Sequence, residues 1–224
     1  MKKYNYTIIT FALIISLASC DFMAEEKPAK QTTSLFVLYD VSKTYRIKLK
    51  ESHLREIFDK IAFSGGGRVY FANVLSNSSK QDVHNFIIPF FDSEINGGTD
   101  EQVRNQNSLL SGAYDELATG REYFIRQVTR NVLRPHTHSF SDVKRGVELA
   151  KMSLATGNTK ARKIFLMISD GIHDSRPYDG ENRIKEPIEF HDTKIIQVRG
   201  RRDYYLEAKS IINTVSVNDA ISNF

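Results

Sequence analysis

The chain has 224 residues, 41% of them hydrophobic and 11% aromatic, with 31 basic against 27 acidic side chains and a formal net charge of +4. That composition supplies a full apolar core and excludes an intrinsically disordered chain. The charge excess is small and its clusters are short, as in Arg199-Gly200-Arg201-Arg202 and Arg46-Ile47-Lys48-Leu49-Lys50; with no stacking aromatic platform or recognised binding motif beside them, a nucleic-acid partner is not expected.

The sequence opens Met1-Lys2-Lys3, runs through an apolar stretch over residues 8–17 and reaches Leu17-Ala18-Ser19-Cys20, which holds the only cysteine. A bilayer span needs about 20 apolar residues, whereas this run stops at Cys20 and meets Asp21 and then Glu25-Glu26-Lys27. It is too short to cross. A basic start, a short apolar run and small residues before a cysteine resemble the signal of bacterial lipoproteins. The resemblance implies cleavage before Cys20, a diacylglycerol on its thiol, and an exported protein held to a bacterial membrane by its lipid. Three parts follow: a signal peptide over residues 1–19, a lipidated Cys20 with a polar, flexible tether over 20–33, and a domain over 34–224. The tether is rich in Lys, Glu, Ala and Gln and cannot bury a core. A single thiol forms no internal disulfide, so the domain must be stable without one.

Residues 34–39, Ser-Leu-Phe-Val-Leu-Tyr, are a continuous apolar run of strand length ending at Asp40, as expected of a central strand buried on both faces. Leu54, Ile57, Phe58 and Ile61 then recur at helical spacing, and Gly65-Gly66-Gly67 breaks the helix before a second strand over 68–75. A polar turn leads to a third strand over 85–91, where Pro89 argues for an edge position and the short link for an antiparallel one. After the Gly97-Gly98 loop, residues 101–133 read as helix, closed by Pro135. A further helix carries Val143, Val147, Ala150 and Leu154 on one face. Residues 163–169 are another buried strand ending in Asp170-Gly171. A polar loop over 172–192 precedes a strand over 194–198, a helix over about 204–212, a short strand over 214–217 and a last helical turn. Strands alternating with helices predict an α/β, Rossmann-like three-layer sandwich, its central sheet mostly parallel with one antiparallel edge strand and helices on both faces.

In such a sheet ligands bind at the carboxyl ends of the strands. Three segments with oxygen donors fall there: Asp40-Val41-Ser42-Lys43-Thr44 after the first strand, Ser141 at the N-cap of a helix, and Asp170 before Gly171. Two carboxylates and three hydroxyls suit a hard divalent cation, and Mg²⁺ takes few protein ligands while keeping several waters. In order and spacing these residues resemble the von Willebrand factor A domain, whose metal-ion-dependent adhesion site is written Asp-x-Ser-x-Ser, then Thr, then Asp. Asp40 and Ser42 match the first motif, Thr44 stands at its second serine, and Ser141 stands at the threonine within Ser141-Asp142-Val143-Lys144-Arg145-Gly146-Val147. Asp170 matches the last aspartate within Ile168-Ser169-Asp170-Gly171. The resemblance covers residues 35–224. It implies Mg²⁺ or Mn²⁺ on Asp40, Ser42, Thr44, Ser141 and Asp170, with one coordination position left for a carboxylate from a protein partner. The polar segment over 76–120 and the loop over 172–192 are expected to shape the partner's surface.

The same residues also resemble a haloacid dehalogenase phosphohydrolase, with Asp40 as nucleophile and Asp170 and Asp174 on Mg²⁺. Ser42 then stands where that family's acid/base aspartate belongs, and a hydroxyl does not transfer protons near neutral pH. A binding protein without enzymatic activity is therefore expected. His136, His138, His173 and His191 lack the spacing and partners of a zinc site and read as loop residues, those nearest the metal at its rim.

Overall fold

Every residue of strand β1 (Thr33–Asp40) is buried, because β1 lies inside a six-stranded sheet of order β3-β2-β1-β4-β5-β6. The computed structural model describes residues 30–41, 45–75, 82–93, 99–133, 141–174, 184–199 and 206–224. Cys20, Ser42, Thr44, His136 and His138 lie outside them. Strands β2 (Gly67–Val74) and β4 (Arg162–Ile168) flank β1 in parallel. β5 (Ile188–Val198) and β6 (Leu206–Thr214) extend the parallel sheet on one side. On the other side β3 (His84–Ile88) is an edge strand antiparallel to β2. It stops short of Pro89, and the Phe91 N–H donates instead to Ala62 O at 2.9 Å.

Alternation along β1 divides the core in two. Leu35 and Val37 face one side with Phe71, Ile164 and Leu166, covered by helices α1 (Glu51–Ser64), α2 (Asp100–Asn131) and α4 (Val217–Ser222). Phe36 and Leu38 face the other with Phe165 and Met167, covered by α3 (Val143–Ala155). The fold is thus α/β, a mostly parallel sheet between helical layers. Gly146 sets how near α3 comes, since a Cβ there would lie 2.8 Å from Leu38 Cδ1. Thr99 opens α2 through a capping box with Gln102, so much of the polar segment expected to shape a partner surface is the largely exposed first half of a helix.

The last third of the chain departs from expectation. β5 begins at Ile188 and not at 194, so the expected loop ends earlier; a bulge between Phe190 and Lys194 holds Asp192 at φ 53. Residues 206–212, expected to be helical, form β6 instead; of the strand expected over 214–217 only Thr214 is strand, the last residue of β6, and the rest turns into α4, capped by Ser216. Leu206, Glu207, Ala208 and Lys209 favour helix intrinsically, but backbone pairing with β5 along the whole strand overrides that preference.

Residues 31–224 form one compact unit. It contains all six strands and both halves of the core, which is what a segment needs to fold on its own.

Candidate functional site

Parallel strands bring their carboxyl ends to one rim of the sheet. Asp40 closes β1, and Tyr39 lies beside Ile168 of β4, so Ser169 is level with Asp40 and Asp170 follows one residue beyond. Asp40 continues the alternation of Phe36 and Leu38 toward the α3 side. It is 1% exposed, and a buried carboxylate must be hydrogen-bonded. Ser169 Oγ donates to Asp40 Oδ2 at 2.9 Å and accepts from the Gly171 N–H at 3.1 Å. Asp170 Oδ1 accepts from the Ile172 N–H at 3.0 Å, and Gly171 takes φ 75, a turn that a side chain at this position would strain. Ser169 was not among the expected site residues. Its signal is a hydroxyl on the same face as Asp40, one step after a buried apolar strand.

Ser141 lies at the same rim without capping the helix. α3 starts at Val143, so its N-cap is Asp142, whose Oδ1 accepts from the Arg145 N–H at 3.1 Å. Ser141 forms instead an antiparallel bridge with Asp174, donating to Asp174 O at 3.1 Å and accepting from the Asp174 N–H at 2.8 Å. The Asp142 N–H donates to Leu75 O at 2.9 Å. Main-chain bonds thereby hold the start of α3 to the end of β2 and to the loop after β4. His173, expected in a loop near the metal rim, lies in the loop after β4 and is 4% exposed. Its Nδ1 accepts from the Lys144 N–H at 3.4 Å and lies 3.8 Å from Asp142 Oδ1.

Tyr45 reports that Asp40 and Asp170 share one electrostatic environment. Its hydroxyl donates to Val198 O at 2.8 Å. Burial pushes the phenol pKa far above its ordinary value, and the carboxylates of Asp40 and then Asp170 push it further. Tyr39 is raised too, by burial first, with a Leu49 backbone hydrogen bond opposing and Asp40 adding.

Among the described residues no group of three or more His, Cys, Asp or Glu is placed to hold a metal ion. What the rim offers is two carboxylates and two serine hydroxyls at adjacent strand ends and the start of α3. An all-oxygen set of that kind fits a hard divalent cation completed by water. It does not fit zinc, which takes nitrogen and sulfur more readily.

No protein-family model and no curated protein matches the chain. Among solved structures the chain is similar to a manganese-loaded TRAP protein of Plasmodium vivax, with a TM-score of 0.37 and 11% identity over 86% of this chain and 72% of that one. It is also similar to the pilus adhesin SpaC of Lactobacillus rhamnosus GG in an open conformation, with a TM-score of 0.40 and 10% identity over 86% of this chain and 29% of that one.

Proposed function

We propose that this chain is a lipid-anchored, exported binding protein of von Willebrand factor A type, whose rim holds Mg²⁺ or Mn²⁺ and takes a carboxylate from a protein partner. The observation that supports it is the placing of Asp40 and Asp170 at the carboxyl ends of two adjacent central strands, with Ser169 and Ser141 beside them. When bound, the cation supplies a Lewis-acidic point for a partner's carboxylate. Asp40, Asp170 and Ser141 of this chain would hold it, joined by Ser42 and Thr44. Ser169 positions the Asp40 carboxylate, and the bonds at Ser141 and Asp142 position the start of α3. Binding is favoured over hydrolysis because Ser42 stands where phosphoryl transfer would require an acid/base carboxylate.

The test is thermal unfolding of residues 31–224 in chelator and then in Mg²⁺ or Mn²⁺, beside Asp40→Ala and Asp170→Ala. Metal at a hundredfold excess over its Kd stabilises by about 2.7 kcal/mol. That is a rise in Tm of about 5–10 °C for a domain of this size, absent in both variants. No rise in the parent protein at millimolar metal rejects the metal site. Turnover of an aryl phosphate that is lost in Asp40→Asn would select the hydrolase. The anchor is tested separately: mass spectrometry of the protein from native membranes should find a diacylated Cys20 at the N-terminus, and Cys20→Ala should release the chain from the membrane fraction.

A further inference from the structure

The opposite ends of the strands carry a different chemistry. β5 and β6 reach past the start of β4, since Thr193 lies level with Lys163 and Ser210 with Lys194, while Ile188–Phe190 and Leu206–Ala208 continue beyond. The corner so formed is an open cleft of about 630 Å³ whose lining includes Gln31, Lys160, Arg162, Lys163, Lys194 and Lys209. Asp192 is the acidic residue in that lining, and Glu189 and Glu207 stand in the neighbouring groove. Lys194 Nζ donates to Asn223 O, and Arg162 Nη2 to Thr33 Oγ1 at 3.3 Å. No ion pair engages Lys160, Lys163 or Lys209 among the described residues. Lys60, nearby but outside the lining, has its pKa lowered first by burial, with Glu56 opposing and Arg162 and Lys194 adding a smaller push. Like charges gathered at one place cost free energy unless an anionic partner offsets them.

We infer that this basic cleft rests on the anionic headgroups of the bilayer to which Cys20 is attached, so that the domain stands with the Asp40 and Asp170 rim pointing away from the membrane. The inference rests on the lipid anchor proposed above. Gln31 lines the cleft, and the eleven residue steps from Cys20 to Gln31 span at most about 40 Å. An anchor at Cys20 would therefore keep this end of the sheet within about 40 Å of the surface, and the basic cleft selects which way the domain faces. Seven or eight residues of strand separate it from the rim, about 25 Å. Each Lys at an anionic surface contributes about 1 kcal/mol, roughly a fivefold gain in partition, and Lys160, Lys163 and Lys209 together about a hundredfold.

The experiment is flotation of residues 31–224, in chelator, with vesicles of phosphatidylcholine alone or containing phosphatidylglycerol. Expected is binding to the anionic vesicles alone, weakened about a hundredfold in Lys160→Gln/Lys163→Gln/Lys209→Gln. A triple variant with the same charge change elsewhere, Lys48→Gln/Arg104→Gln/Lys151→Gln, should lose only a few-fold. Equal loss in the two triples, equal binding to both vesicle types, or release from the vesicles by a charge-equivalent amount of single-stranded DNA overturns the inference. Because the chelator removes metal and the segment lacks Cys20, the outcome is independent of whether the metal site or the lipid anchor fails its own test.

Discussion

The two ends of β1 are built by different means. At the amino end backbone packs on backbone: Gly65, Gly66 and Gly67 hold φ of 136, 70 and 152, the Thr33 N–H donates to Gly66 O at 3.0 Å, and the Arg162 N–H donates to Thr32 O at 2.8 Å. A Cβ on Gly67 would stand 1.9 Å from Thr33 O. At the rim main-chain bonds hold the start of α3, but side chains fix the ends of β1 and β4 and the first turn of α3: the Ser169 hydroxyl on Asp40, the Asp170 carboxylate on Ile172, and the Asp142 carboxylate on Arg145. A main-chain junction leaves no room for other residues. A side-chain junction accepts substitution at a moderate cost, so chemistry can vary at the rim while the amino end of β1 stays constant.

The largest effect that would test this contrast is Gly67→Ala. It combines strained φ with a clash against main chain that no rotamer relieves, and should cost about 3–5 kcal/mol in denaturant unfolding; a loss under 1 kcal/mol would show that the amino end yields as easily as the rim. Ser169→Ala removes a donor from the buried Asp40 carboxylate and should cost about 1–3 kcal/mol, with the melt still cooperative. Tyr45→Phe sharpens the contrast through pH. The folded-state phenol pKa is raised above the unfolded value of about 10, so the contribution is fully present below pH 10 and is lost as pH rises toward the folded pKa. The parent should therefore lose stability above pH 10 more steeply than Tyr45→Phe, as read from urea midpoints between pH 8 and 11. Smallest is Glu122→Gln, which breaks an exposed bond from Arg55 to α2, distant in sequence from either junction. It should change stability by less than about 1 kcal/mol.

The central strands were legible because burial on both faces leaves an unmixed apolar signature: Leu35 to Tyr39 and Ile164 to Ile168 read as strands and are strands. β6 was not, because its residues are mostly exposed, Ile211 and Ser210 interrupt the alternation of Leu206, Ala208 and Ile212, and its helix-forming residues suggested the wrong element. Of the site, the strand-end carboxylates Asp40 and Asp170 could be named from order along the chain. The bond between Ser169 and Asp40 links positions 129 apart, and only the side-by-side pairing of β1 and β4 creates it. At Ser141 and Asp142 two adjacent residues both suit a cap, and the start of α3 at Val143 decides in favour of the second.

Thr33 and Asp40 are the two ends of one strand, the first toward the proposed lipid anchor along the chain and the second at the proposed partner site. Traction between a membrane and a bound partner would act along β1. Eight register pairs with β2 and seven with β4 would then bear the load in shear, together rather than one after another. Yielding under such a pull is governed by the unfolding barrier and not by equilibrium stability, and a central strand gripped from both sides sets that barrier where the force is applied.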